Sequence, residues 1–229
     1  MLQAVSDRLA GLGWGIGTLY LAARLLHSAT RGYVRIFRYH LVAQPIPHAA
    51  VGQRSSAKTI VRIADRSDPI VGRMPRPVRV IERRFRAGAT CFVAESAGRL
   101  CGFLWIAHRA YDEDEVRCRF ELAQPKECVW DFDVHVEPEF RLGRTFARLW
   151  DAANHHLDQQ GIRWTLSRIS AFNPASLSAH GRLGVRILHS ATFLRAGRLQ
   201  IAVLSLPPFL HVSVSERYRP TLRLSPPRD

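Results

Sequence analysis

The chain has 229 residues, of which 47% are hydrophobic, so it can bury a sizeable core in one domain with extensions, or at most in two domains. The net charge is +14, and every basic residue except Lys58 and Lys126 is an arginine. Arginine suits phosphate and carboxylate, so small molecules that carry phosphate, acidic proteins, anionic lipid and nucleic acid are candidate partners. The alternative is that arginine replaces lysine on a solvated surface. Four cysteines without a close pair argue against a structural zinc site, and we expect no metal.

Residues 1–29 repeat apolar side chains at helical spacing, which predicts an amphipathic helix at the start of the chain. Only the fifteen residues between Arg8 and Arg24 lack charge, fewer than the roughly 20 that a membrane-spanning helix needs. A signal peptide is disfavoured because charged residues precede the apolar part and no clean cleavage site follows. Two alternatives remain: the helix packs on the main domain or a partner, or it lies in a membrane interface.

The following segments predict a strand at residues 33–42, a linker at residues 44–56 and the first core strand at residues 59–63. Residues 78–86 form a basic helical pattern with four arginines. This helix is either an ordinary solvated surface helix or a positively charged lid over a substrate site.

Two strands at residues 90–95 and 100–109 are joined by a Ser-Ala-Gly-Arg turn, which is a hairpin signal. The compact acidic run at residues 112–115 is most simply a solvated turn. The alternative is a binding site for an amine.

The chain is organised around residues 128–184, which open with a strictly alternating strand at residues 128–136. Its apolar face carries Trp130, Phe132, Val134 and Val136. The opposite face carries three ionisable groups, Asp131, Asp133 and His135. Because the two aspartates are two residues apart on one face, we expect ionisation of both to raise one pKa.

A helix is predicted from Thr145 to Gly161, then a strand at residues 162–169, then a second helix with Asn173 as its N-cap and Pro174 in its first turn. Strand, helix and strand in that order predict a parallel crossover. The first amides of the helix at Thr145 have no partner within the helix, and they attract an anion such as phosphate. The sequence therefore predicts a phosphate site beside a strand that carries carboxylates.

Two motifs in this region resemble those of the GNAT acyltransferase superfamily. VEPEFR at residues 136–141 is similar to the start of its acyl-CoA motif, and NPASLSAHGRLG at residues 173–184 is similar to its later motif. The resemblance covers about residues 56–206. It implies an α/β fold of the α+β mixed-sheet type, acetyl-CoA or another acyl-CoA as donor, and N-acyl transfer to a primary amine whose identity the sequence does not indicate.

The phosphate loop departs from the family pattern. Counted from Arg141, the two positions where the family has small residues hold Arg144 and Phe146, and Gly143 comes one residue early. Since glycine lets backbone approach phosphate closely, we expect a looser or rearranged cradle. An acyl carrier protein as donor would suffer less from this change, because its phosphopantetheine lacks the pyrophosphate of CoA.

The resemblance implies a role for each matching residue. Asp131 and Asp133 are the expected bases for the amine proton, and His180, at the position of the family's tyrosine, is the expected proton donor to the departing sulfur as an imidazolium. A surface histidine, and an aspartate paired with an arginine, are the alternatives. The expected donor-binding residues are Val134, Val136, Arg141, Leu142, Gly143, Arg144, Thr145, Phe146, Asn173 and Ser176.

Residues 186–195 and 198–206 predict two closing strands, and from Pro207 the chain is expected to be extended or mobile. The predicted organisation is an N-terminal helix, strand and linker (1–55), a GNAT-like domain (56–206) and a Pro- and Arg-rich tail (207–229). We expect a cytoplasmic protein, with peripheral attachment to the inner face of the membrane as an alternative. A non-catalytic acyl-CoA-binding module also remains open, and no motif supports nucleic-acid binding.

Overall fold

The computed structural model describes residues 12–47 and 59–227. Four α-helices lie in these ranges: α1 (Gly13–Ala29), α2 (Val78–Arg86), α3 (Thr145–Asp158) and α4 (Pro174–Gly181). The strands in the first half of the chain are β1 (Val34–Pro45), β2 (Ile60–Ala64), β3 (Thr90–Ser96), β4 (Arg99–Ala107), β5 (Ala110–Asp112) and β6 (Arg119–Leu122). Those in the second half are β7 (Cys128–Val136), β8 (Trp164–Ser170), β9 (Arg186–Ala196), β10 (Leu199–Leu204), β11 (Leu210–Ser213) and β12 (Thr221–Leu224).

The chain divides into two compact units. The described residues of the first unit are 12–45, 110–123 and 166–227. Its strands run in the order β11, β10, β9, β1 and β8, and β12, β6 and β5 form a separate three-stranded sheet. Apolar residues of alternating strand positions fill its core, among them Tyr39, Leu41, Phe193 and Ala202.

The described residues of the second unit are 46–47, 59–109 and 124–165. Its strands run in the order β7, β4, β3 and β2, all antiparallel. Helix α3 packs on this sheet with Leu149, Trp150, Ala153 and Leu157, which recur at spacings of one, three and four residues and are all fully enclosed.

The predicted elements of the core are confirmed, including the helix over residues 78–86 and the start of α3 at Thr145. The predicted strand at residues 33–42 extends to Pro45. Most of the predicted linker, and the first third of the predicted N-terminal helix, lie outside the described residues. None of the helices in the described part of the chain is long and apolar enough to cross a membrane.

The region after Pro207 is extended, and it contributes two strands. β11 pairs with β10, and β12 pairs in parallel with β6. Leu222 and Leu224 of β12 are buried, so this part of the tail belongs to the core of the first unit. The element types and their order give the predicted mixed α/β class.

Candidate functional site

Strand β7 contains a bulge at Asp133. Phe103 of β4 pairs with His135, whereas Trp105 pairs with Phe132, so β7 has one residue more than β4 over this interval. Asp133 takes a left-handed backbone conformation with φ of 50°, which non-glycine residues rarely adopt. A bulge leaves one residue outside the hydrogen-bond ladder and turns the strand.

The bulge makes the predicted alternation of β7 wrong beyond Phe132. Phe132 stacks on Trp105 with ring centroids 6.3 Å apart, and His135 stacks on Phe103 at 5.1 Å. Phe132 and His135 therefore share a face, although strict alternation had placed them on opposite ones. His135 Nε2 also lies 3.2 Å from Glu137 Oε1, an ion pair when the imidazole is protonated.

Gly102 allows the two backbones to approach just after the bulge. A Cβ atom at Gly102 would lie 2.5 Å from the carbonyl oxygen of His135 and 3.3 Å from the side chain of Leu149. The position therefore tolerates no side chain, and the close approach holds the end of β7 against β4.

Asp133 is held by two arginines. Arg76 donates from Nε to Oδ2 over 2.8 Å and from Nη2 to Oδ1, and the buried guanidinium of Arg84 donates to Oδ2. Burial raises the pKa of Asp133, but the hydrogen bonds from Arg76 and the charge of Arg84 outweigh it and leave the pKa below its usual value. The alternative that one strand aspartate pairs with arginine is confirmed. Asp133 is not the aspartate with a raised pKa, and the expected rise stays a prediction for Asp131.

A carboxylate with a lowered pKa and two guanidinium partners is a poor proton acceptor, so the geometry does not favour Asp133 as the base. Asp131, two residues earlier, is buried with 3% of its surface exposed. Its role as a base stays a prediction.

The turn after β7 leads into α3 as the sequence predicts. A short 3-10 helix (Pro138–Phe140) follows the strand, Gly143 donates from its amide to the carbonyl of Phe140 over 3.1 Å, and Arg141 Nε donates to the carbonyl of Val136 over 3.1 Å. Leu142, at the tip, is fully exposed.

Helix α3 begins without a side-chain cap. Its N-cap is Arg144, whose side chain accepts no amide hydrogen bond, and its first turn contains no acidic residue. The Thr145 side chain is buried, and the ring of Phe146 lies 6.4 Å from that of Trp150. Only backbone amides and the exposed arginines can therefore serve an anion here, and the donor-binding roles of residues 141–146 stay predictions.

Helix α4, in the first unit, begins differently. Asn173 Oδ1 accepts a hydrogen bond from the amide of Ser176 over 3.1 Å, which confirms the predicted N-cap. The asparagine side chain is thus occupied by its own helix, and the binding of a donor by Asn173 or Ser176 stays a prediction.

His180 is neutral rather than an imidazolium at neutral pH. Its side chain is buried, its Nδ1 lies 3.2 Å from Gln44 Oε1, and burial lowers its pKa to about 4. The expected charge of His180 and the alternative of a surface histidine are both wrong, because helix α4 turns this residue inward.

The acidic run at residues 112–115 is solvated only in part: Asp114 and Glu115 are exposed, whereas Glu113 is buried. The Glu113 side chain has no exposed surface, and it accepts hydrogen bonds from Arg168 Nε and Nη2 over 2.9 and 2.8 Å. Glu115 accepts from Arg168 and from the hydroxyl of Tyr39, 2.9 Å away. Both glutamates are therefore bound by side chains of the first unit and help to stabilise its fold.

Sequence reasoning missed the arginines that hold these carboxylates. Arg84 could have been found, because it lies three residues after Ile81 on the buried face of α2. Arg76 and Arg168 carry no local signal, since their partners are distant in sequence. Among the described residues there is no group of three or more side chains that could hold a metal ion.

Neither a protein-family model nor a curated protein sequence matches the chain. A tandem GNAT protein from the clavulanic acid biosynthesis pathway, however, matches its structure with a TM-score of 0.50, at 15% identity over 72% of this chain and 56% of that one. The chain has a GNAT fold.

Two further GNAT structures are similar. A GNAT-family protein from Novosphingobium aromaticivorans is 16% identical over 69% of this chain and 65% of its own, with a TM-score of 0.46. A GNAT acetyltransferase from Elizabethkingia anophelis with acetyl-CoA bound is 10% identical over 58% and 79%, with a TM-score of 0.43. The chain spans less than two thirds of the tandem and Novosphingobium chains. At these identities the likeness concerns the GNAT fold alone.

Proposed function

We propose that this protein transfers an acyl group from acyl-CoA, or from an acylated carrier protein, to a primary amine. The observation that carries the proposal is the continuous unit of bulged strand, turn and uncapped helix start at residues 128–158, in a chain with a GNAT fold.

The bulge supplies the polarising group. A backbone N–H that leaves the ladder at Asp133 or Val134 can donate to the thioester carbonyl, where negative charge develops in the transition state. The amine nitrogen then bonds to the carbonyl carbon, the C–S bond breaks, and the proton of the amine passes to a base while the thiolate takes up a proton. We assign the role of the base, directly or through water, to Asp131, the other aspartate of β7.

The start of α3 supplies the phosphate site. Its first amides point out of the helix without a side-chain cap, and the arginines at 141, 144 and 148 surround this end with positive charge. Gly143 is already engaged with Phe140, so we expect fewer amides at the phosphate than the family loop offers. That arrangement fits one phosphate of phosphopantetheine as well as the pyrophosphate of CoA.

A second candidate is a GNAT-like module that binds the donor without turnover. It is favoured by the same departures, Arg144 and Phe146 at the two positions where the family has small residues, and by the engagement of Asp133 with arginine. The two candidates share the donor and differ only in the chemical step.

Arg144→Asp tests the phosphate site without harming the fold. Aspartate is a good N-cap, so α3 should become slightly more stable, by about 1 kcal/mol, while the carboxylate occupies the amides and repels phosphate. In calorimetry with acetyl-CoA, a longer acyl-CoA and an acylated carrier protein, the unmodified protein should bind at least one donor and the variant none.

Arg79→Asp is the matched control. It makes the same change of charge in the first turn of α2, where a carboxylate also suits the helix, and it should leave donor binding intact. If none of the three donors binds the unmodified protein, the proposal fails. If a donor binds but no amine in a panel is acylated, the binding module is the better conclusion.

A further inference from the structure

The outer side of α1 carries a mostly apolar stripe without a charged residue. Gly17, Tyr20 and Ala23 face inward, where α1 packs on β1. On the opposite side, Trp14 is 94% exposed and Leu25 is 71% exposed. At helical spacing, the stripe through Trp14 and Leu25 continues with exposed Thr18, Leu21, Ala22, Ser28 and Ala29, none of which is charged, while exposed Arg24, Leu26 and His27 lie beside it.

A second apolar strip lies on the same face of the first unit. Val203 pairs with Leu210, and Ile201 pairs with Val212, so these side chains stand side by side on β10 and β11. Strand β10 pairs with β9, and β9 pairs with β1, in a register that places this strip on the same face of the sheet as Arg38 of β1. Arg38 lines a groove together with residues of α1. Leu210, Val212 and Val203 are each more than half exposed.

Exposed apolar side chains are concentrated in this unit. Of the 17 large apolar residues found exposed in the described part of the chain, 13 belong to the first unit and 4 to the second. Single exposed apolar residues are ordinary, but a contiguous set on one face marks a surface that another body covers.

The charge around this face indicates which kind of partner covers it. Helix α1 and strands β10 and β11 contain no acidic residue. Exposed Arg24 lies beside the stripe, with its Nη1 donating to the Tyr20 hydroxyl over 3.1 Å, and exposed Arg31 follows the end of the helix. A second copy of the chain would bring its own charge of +14 against this face, which electrostatic repulsion opposes. An anionic bilayer attracts the arginines and accepts the tryptophan and leucines at its interface.

We propose that this face of the first unit binds the surface of an anionic membrane, with Trp14, Leu21 and Leu25 in the interface and Arg24 and Arg31 at lipid phosphates. The proposal does not rest on acyl transfer, since none of these residues belongs to the turn between β7 and α3.

Vesicle flotation of the full chain tests it. We expect the protein to float with vesicles that contain phosphatidylglycerol and much less with pure phosphatidylcholine. Trp14→Gln with Leu25→Gln should weaken binding roughly tenfold or more, because both side chains lose their transfer into the interface. Arg24→Gln and Arg31→Gln should each weaken binding about fivefold at low salt.

Ile60→Gln with Ile63→Gln is the matched control. It also removes two exposed apolar side chains, in the second unit, and it should float like the unmodified protein. Calorimetry with acyl donors should be unchanged in every flotation variant, which separates this proposal from the proposed function. The proposal is overturned if the protein fails to float with anionic vesicles, if Trp14→Gln with Leu25→Gln floats unchanged, or if that variant only converts a dimer to a monomer in light scattering.

Discussion

Each compact unit contains a carboxylate that accepts hydrogen bonds from arginine, but the exposure and the other hydrogen-bond donors of the two carboxylates differ. In the first unit, the Glu113 side chain has no exposed surface and accepts hydrogen bonds from Arg168 and from the amides of residues 114 and 115. In the second unit, Asp133 keeps 13% of its side chain exposed and receives bonds from two arginines, Arg76 and Arg84.

The difference shows what each pair holds in place. Glu113 links its own turn to β8, and neighbouring backbone amides donate its remaining hydrogen bonds. Asp133 fastens the bulge of β7 to the segment that carries Arg76 and Arg84, and its own backbone is in the left-handed region. The first pair therefore supports the fold, whereas the second also sets the geometry next to the proposed carbonyl site.

Breaking the enclosed pair should have the largest effect. Arg168→Met leaves the carboxylate of Glu113 buried without its cation, so we expect the free energy of unfolding to fall by about 3–5 kcal/mol in urea denaturation. Adding Glu113→Gln should restore most of this loss, because the amide keeps an acceptor for the backbone and removes the charge. A double variant no more stable than Arg168→Met would contradict this account.

Acid titration should distinguish the two units through His180 and Asp133. The folded pKa of His180 is about 4, below its unfolded value near 6.5. The unfolded state therefore binds more protons in this window, and stability falls by up to about 3 kcal/mol as the pH drops from 6.5 to 4. His180→Gln should reduce that slope in denaturation curves at several pH values, and the remainder belongs to His40, His108 and His189, whose pKa values burial also lowers. A slope that persists unreduced in this variant would assign it to another group.

Asp133→Asn should cost less than Arg168→Met, about 2 kcal/mol, because an amide oxygen still accepts from Arg76 and the site is partly open. The folded pKa of Asp133 is lowered, so its contribution is present above its unfolded pKa and is lost as the pH falls through the folded value. The variant should therefore change stability at neutral pH while leaving the slope between pH 6.5 and 4 as it was. The opposite pattern would exchange the roles given to Asp133 and His180.

The smallest effect is expected at a surface pair. Arg119 contacts Asp112 and Glu121 over 2.9 and 3.0 Å with all three side chains more than a third exposed. Arg119→Gln should lower the free energy of unfolding by less than about 1 kcal/mol, because water and salt screen exposed charges. A loss of stability equal to that of Asp133→Asn would mean that burial of the charged side chains does not determine the order of these effects.

The features that the sequence predicted correctly are those that depend on neighbouring residues. The start of α3 at Thr145 and the N-cap of α4 at Asn173 were predictable, because apolar spacing and capping involve residues only a few positions apart. The bulge at Asp133 was not predictable, since it arises from pairing with β4. The inward turn of His180 and the burial of Glu113 depend on Gln44 and Arg168, which are distant in sequence.

Gly102 offers a way to recognise relatives that sequence searches miss. Its lack of a side chain is required by a backbone oxygen on another strand, not by any ligand. A protein that keeps the bulge in β7 and the close pairing after it should therefore keep glycine at the equivalent position, whatever it acylates. Glycine in the fourth position of β4, followed some thirty residues later by the bulged strand, is a steric signature that can be sought in chains too divergent to align.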